Sequence, residues 1–192
     1  MTERTLPLID VITNRQVAKY SKSEQVRRVF WMVGSRLISL SPRPAFGWRR
    51  MVLRLFGAKV GKQVNIYPST RIYMPWNVEL GDLTALGEDT FIYSLGKVTL
   101  GRNVTVSYRA HLCAGTHDLN DPALPLLKPP ITLDEGVWVG TDAFIGPGVC
   151  VGKFAVVGAR AVVIKDVVQL QVVAGNPAKC VGLRSIQPQT NA

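Results

Sequence analysis

The chain has two histidines, His111 and His117, and His117 is the residue placed to do chemistry. Moving an acyl group from a thioester to a hydroxyl needs a base that is neutral near pH 7, and an imidazole suits that task. His117 stands at the root of residues 118–130, a stretch with four prolines (Pro122, Pro125, Pro129 and Pro130) and no periodicity. Long irregular loops thrown from a regular scaffold are where functional groups concentrate. Either Asp118 or a backbone carbonyl would serve to orient the ring. His111 falls inside the periodic part and reads as a surface or interface residue. The cysteines, Cys113, Cys150 and Cys180, form no C-x-x-C pair and no complete disulfide set, so they read as reduced thiols of a cytoplasmic protein.

The scaffold that positions His117 is a repeat of six residues. From Leu133 the chain reads LDEGVW, VGTDAF, IGPGVC, VGKFAV, VGARAV, VIKDVV. The first position is always aliphatic, and the fifth is always Ala or Val. The second is Gly in four units running: Gly140, Gly146, Gly152 and Gly158. Neither the helical period of 3.6 nor the strand period of 2 produces this pattern. Earlier units start at Val60, Ile66, Ile72, Leu80, Leu86, Ile92, Leu100, Val106 and Leu112, with the pairs Val78-Glu79 and Val98-Thr99 inserted. Each unit is a short strand and a sharp turn, three units make a triangular coil, and stacked coils bury each other's faces. The fold expected is therefore an all-β, parallel β-helix of about five coils, with Gly at the second position supplying the turn conformation.

Charge is uneven. Residues 1–62 hold thirteen Lys/Arg against three acids, whereas residues 63–192 hold ten of each. A neutral body excludes a nucleic-acid groove along it. No signal peptide is read in residues 1–10, and the apolar stretch 29–40 is too short for a span. Residues 22–40 and 48–56 predict amphipathic helices, the first with Val26, Val29, Phe30, Val33, Leu37 and Leu40 on its apolar face. Two roles fit them. They cap the open end of the β-helix, or Arg49, Arg50 and Arg54 with neighbouring Trp and Leu dock on an anionic bilayer at the inner face of the membrane. The division expected is a basic helical segment at 1–58, a β-helix domain at 59–183 with loop 118–130, and a tail at 184–192.

The repeats, the step Thr116-His117-Asp118, the loop and the ending Val173-Ala174-Gly175-Asn176-Pro177-Ala178-Lys179 resemble the hexapeptide acyltransferases of the maltose/galactoside O-acetyltransferase group. The steps Ser41-Pro42-Arg43-Pro44, Phe46-Gly47-Trp48-Arg49 and Pro75-Trp76-Asn77 resemble colanic acid and exopolysaccharide biosynthesis acetyltransferases. The resemblance covers about residues 25–183 and supplies the left hand of the helix. It implies an acetyl-CoA-dependent O-acetyltransferase acting on a sugar hydroxyl of an exopolysaccharide or its precursor. It also implies a homotrimer with acetyl-CoA between neighbouring subunits, and no metal.

By position, the resemblance makes His117 the general base. Trp138 and Thr141 line the acyl end of the donor. Ala159, Ile164 and Lys165 follow its pantetheine and phosphates, and Lys179 lies near the nucleotide phosphates. Ile164 stands where some relatives carry Thr, so one hydroxyl contact is absent. Ser94 stands near an acceptor-binding Asn of many relatives. The backbone N–H groups of Gly140 and Thr141 are the expected oxyanion donors. Other acceptors (an amino sugar or an antibiotic) and a non-catalytic scaffold are the alternatives. A zinc enzyme of the γ-carbonic anhydrase type needs more histidines than the two present.

Overall fold

Residues 9–186 are described by a computed structural model. From Lys59 the chain winds as a left-handed parallel β-helix of five complete coils and a partial sixth. Its first face stacks Lys59–Val60, Val78–Leu80, Val98–Leu100, Ile131–Leu133 and Cys150–Val151. The second stacks Asn65–Ile66, Ala85–Leu86, Thr105–Val106, Trp138–Val139, Val156–Val157 and Gln171–Ala174. The third stacks Arg71–Ile72, Phe91–Tyr93, His111–Cys113, Phe144–Ile145 and Val162–Val163.

The first position of each unit lies in register with the same position one coil on, as in Ile66–Leu86–Val106–Val139–Val157, and these side chains fill the axis. The fifth position is also buried, except at Trp76 and Thr116, where the repeat is interrupted. Where it is Thr, the hydroxyl donates to a carbonyl of the next coil: Thr70 to Gly87 (3.1 Å), Thr84 to Gly101 (3.0 Å), Thr90 to Ser107 (3.2 Å). A buried hydroxyl without such a partner would oppose folding.

One expectation changes. Gly at the second position is required by close approach, not by an unusual φ. A Cβ on Gly140 would lie 2.7 Å from the Ala159 nitrogen of the next coil, and one on Gly81 2.6 Å from the Gly101 carbonyl carbon. The left-handed corner residue is instead the fourth of each unit, as at Leu83, Asp89, Asn103, Arg109, Asp142, Phe154 and Arg160, all with φ between 56° and 61°.

Three helices precede the coils: α1 (Val11–Gln16), α2 (Lys22–Ser39) and α3 (Phe46–Leu55). A capping box between Ser21 and Glu24 starts α2. In the β-helix, N–H groups of each coil donate to carbonyls of the following one, as Gly61 to Leu80 and Asn65 to Thr84. The carbonyls of the first coil therefore point at the helices. Arg49 donates to Ile66, Arg50 to Val64 (2.8 Å), Arg54 to Val60 (2.7 Å) and Gly61 (2.9 Å), and the Trp31 indole to Ile72 (2.8 Å). These arginines, expected as one option to face a bilayer, close the open end of the sheet.

The face of α2 is also reversed. It buries Trp31, Gly34 and Ile38, with Gly34 under the Phe56 ring. The stripe Val26, Val29, Phe30, Val33, Leu37 and Leu40 is exposed. No helix among the described residues is long and apolar enough to cross a membrane. At the other end, Lys179–Leu183 folds back antiparallel on Gln171–Ala174 and covers the last strand. The expected tail lies mostly outside the described residues.

Candidate active site

The edge between the third and first faces is where the repeat is interrupted in three successive coils: at Pro75–Asn77, at residues 94–97 and at residues 114–130. The interruptions stack on one another. The Ser94 hydroxyl accepts from the Met74 N–H and donates to the Met74 carbonyl, both at 2.9 Å. The Asn77 carboxamide donates to the carbonyls of Ser94 and Leu95, each at 3.0 Å. Ala114 donates to Tyr93 (3.0 Å) and Gly96 to Ala114 (2.7 Å). Gly115 packs so tightly that a Cβ there would meet Leu95 at 2.6 Å. These bonds make a firm shelf below His117. They also correct one expectation: Ser94 is fully buried with its hydroxyl bonded on both sides to Met74, so it holds the shelf and does not face an acceptor.

From this shelf Thr116–His117 pairs antiparallel with Leu126–Leu127, and Asp118 N–H donates to Pro125 (3.0 Å). The exposed His117 ring places Nδ1 2.6 Å from the Leu124 carbonyl oxygen. A carbonyl only accepts, so Nδ1 carries the proton and Nε2 presents its lone pair outward. Leu124 sits at φ 47°. The Asp118 carboxylate accepts from the Asn120 N–H at 2.9 Å, so of the two candidate orienters the carbonyl is the one on the ring. Sequence carries no sign of this partner, because any residue type offers a carbonyl.

The residues expected on the donor side fall in two groups. Gly140, Thr141 and Ala159 form the edge between the second and third faces, with Trp138 beside them on the second face and Lys179 at the start of the returning strand. Trp138 is 49% exposed, and its indole N–H is held by the Ser107 hydroxyl at 3.0 Å. Ile164 and Lys165, both exposed, lie on the opposite edge of the third face, the edge that carries His117 two coils earlier. One chain therefore brings His117, Ile164 and Lys165 to one edge, and Gly140, Thr141 and Ala159 to the other. The oxyanion expectation narrows as well. Gly140 N–H is bonded to the Val157 carbonyl at 2.7 Å, whereas Thr141 N–H has no acceptor among the described residues.

Between the two edges the third face carries an aromatic column. His111 stacks on Phe91 (4.9 Å, 21°) and meets Phe144 edge-on (5.3 Å). Burial, with the Arg71 charge nearby, pushes its imidazole below the usual histidine range. Among the described residues no group of three or more His, Cys, Asp or Glu is placed to hold a metal ion.

A parallel β-helix of six-residue units with an oriented imidazole on a loop at one edge defines a hexapeptide-repeat acyltransferase scaffold. No family model matches the chain. It is 40% identical over 151 residues to WcaF of Escherichia coli K12, which carries the name of a putative colanic acid biosynthesis acetyltransferase; the match spans 79% of this chain and 83% of that one. It is 26% identical over 136 residues to the galactoside O-acetyltransferase of E. coli, across 69% and 67% of the two chains. Among solved structures, the hexapeptide-repeat acetyltransferase VCA0836 of Vibrio cholerae complexed with acetyl-CoA has a TM-score of 0.79 at 22% identity, covering 88% of this chain and 92% of that one. A galactoside acetyltransferase in complex with coenzyme A has a TM-score of 0.79 at 23% identity, covering 86% and 84%. The chain belongs to the hexapeptide-repeat acetyltransferases.

Proposed function

We propose that the protein transfers the acetyl group of acetyl-CoA to a sugar hydroxyl, with His117 as general base, in a homotrimer whose sites lie between neighbouring copies. The observation that carries the reading is the Nδ1–Leu124 hydrogen bond, which leaves Nε2 outward as an acceptor at an edge of the prism. Nε2 takes the proton of the acceptor hydroxyl as that oxygen attacks the thioester carbonyl; collapse of the tetrahedral intermediate then breaks the C–S bond, and the CoA thiolate leaves with the proton returned by Nε2. The free Thr141 N–H is the donor for the developing oxyanion. Holding both substrates in one cleft supplies proximity without a covalent enzyme intermediate. Trp138, Thr141 and Ala159 fit the acyl end and pantetheine; Ile164, Lys165 and Lys179 continue the track, the two lysines toward phosphates. The named relatives support a sugar acceptor, and WcaF's name supports an exopolysaccharide or its precursor. Thiol release from acetyl-CoA against a panel of free, nucleotide-linked and lipid-linked sugars tests this. Turnover with none of them, or only with antibiotics, removes the sugar reading.

The division of site residues between two edges supports assembly. A single cleft needs the His117 edge of one copy against the Thr141 edge of the next, as cyclic symmetry provides. Trimers co-assembled from equal amounts of His117→Ala and Ala159→Glu chains are therefore expected to recover activity that neither variant has alone. The recovery should be about one quarter of wild type, the chance that a random interface pairs two intact edges. Sites contained within one chain would recover nothing.

The same reading gives membrane contact to α2 rather than to the arginines of α3. Its outward stripe, with Phe30 64% and Val33 60% exposed, lies beside Lys22 and Arg36 in the basic segment. The protein is expected to cosediment with phosphatidylglycerol vesicles at low salt, and Phe30→Glu with Val33→Glu to remain in the supernatant. Equal sedimentation of the two would end this assignment.

A further inference from the structure

We propose that Asn14 is a positioning residue for the general base, and that α1 is a clamp on the loop that orients His117. The proposal rests on the reading of His117 as the base. The Asn14 carboxamide nitrogen donates to two consecutive carbonyls of the loop, Ala123 and Leu124, both at 2.6 Å. The Leu124 oxygen is the atom that receives the His117 Nδ1–H. One side chain from the start of the chain thus shares an acceptor with the ring 103 residues further on.

The carboxamide is itself oriented. Lys19 Nζ donates to its oxygen at 2.7 Å, which turns the NH2 group toward the loop. Two further bonds hold the same pair of segments together: Asp10 N–H to the Pro122 carbonyl (2.8 Å) and Lys128 Nζ to the Lys19 carbonyl (3.2 Å).

The loop needs such a clamp. Leu124 occupies the left-handed region, which is uncommon for residues other than Gly, and among the described residues its own N–H donates to Asp121 within the same turn. The ladder of Thr116–His117 with Leu126–Leu127 and the Asp118–Pro125 bond anchor the base of this turn, and the two N–H groups of the Asn14 amide hold the carbonyls at its tip. With the Leu124 oxygen fixed, the imidazole keeps its proton on Nδ1 and its lone pair on Nε2. With the oxygen free to swing, the neutral ring populates both tautomers, and a fraction of the enzyme presents an N–H where a base is needed.

The α1 helix buries none of its residues, so substitutions at Asn14 leave the fold intact. Asn14→Asp keeps an oxygen for Lys19 and removes both donors; Asn14→Ala removes everything. With the full chain labelled with 15N-histidine, the His117 ring of the wild type is expected to show one protonated nitrogen, Nδ1. Both variants should show exchange between tautomers, read without any acceptor sugar. With the sugar selected by the thiol-release panel, kcat should fall about tenfold, the lower range for loss of a group that orients a functional histidine, while KM for acetyl-CoA stays unchanged. A single Nδ1 tautomer in both variants, or wild-type kcat in both, overturns the clamp. His117→Ala separates the two ideas. An inactive His117→Ala beside a fully active Asn14→Asp sinks the clamp alone, and an active His117→Ala sinks the base and the clamp together.

Discussion

Replacing His117 by Ala is expected to lower kcat at least about 100-fold, the lower limit for loss of a general base, with no change in melting temperature or in affinity for coenzyme A. The separation of effects follows from where the ring sits. His117 is exposed, the one hydrogen bond of its ring among the described residues goes to the Leu124 carbonyl, and it fills no part of the core. Removing it creates no cavity. In the proposed mechanism its work is confined to the proton it accepts, so ground-state binding of the donor along the proposed Trp138 and Ala159 track should be untouched.

Asp118→Ala is the useful contrast. Its carboxylate caps Asn120 N–H and does not reach the ring, so kcat should stay within a few fold of wild type. A large loss at Asp118 with little at His117 would mean that another group is the base. The assay is thiol release at saturating acetyl-CoA, paired with calorimetric titration of coenzyme A and a thermal melt of each variant.

The parts of this molecule that could be read in the sequence are those where the side chain itself is the cause. Six-residue periodicity sets the coils because aliphatic residues such as Val139 and Val157 must stack on one another along the axis, and no other register buries them. His117 could be singled out for the same reason: the chemistry proposed for it would lie in its side chain. The failures share another cause. Gly140 and Gly146 signalled a special position, but the need is for space against the next coil, while the left-handed corner falls on residues as varied as Asp142, Phe154 and Arg160. Ser94 could be placed near the site by likeness to relatives, yet not oriented, since its orientation is set by Met74 one coil earlier.

The helices mislead in the same way. The most regular apolar stripe of α2 is the exposed one, because what the end of the solenoid demands is not apolar area but donors for its carbonyls and close approach, which Trp31 and Gly34 provide. The six-residue α1 has no buried side chain and hence no periodicity to find. Its contribution is made through backbone carbonyls of the loop, which any sequence would carry.

Those outward carbonyls lead to the largest expected effect on stability. Arg49→Ala is expected to destabilise the protein by about 3 kcal/mol, the scale of a buried charged donor whose partners are left unpaired, and to lower the melting temperature by about 10 °C for a chain of this size. Arg49 is fully buried, although it carries a charge. Besides Ile66, its guanidinium donates to the Ser41 hydroxyl (2.8 Å) and to the carbonyls of Pro42 (3.0 Å) and Arg43 (2.6 Å). It therefore ties the turn after α2 to the first coil with four of its five N–H donors in use, which is what makes a buried guanidinium tolerable.

Truncation leaves these oxygens facing a dry gap, and the end of the β-helix loses its cover together with the seat of α2. Arg49→Lys should recover little, since one ammonium cannot reproduce the planar fork. Arg43→Ala, whose ion pair with Glu88 is exposed at 3.5 Å, should shift stability by less than about 1 kcal/mol. Urea or thermal unfolding of the three variants decides the matter. An Arg49→Ala protein that melts with the wild type would mean that the first coil finds other donors, or water, for its carbonyls, and that the helices rest on the solenoid without closing it.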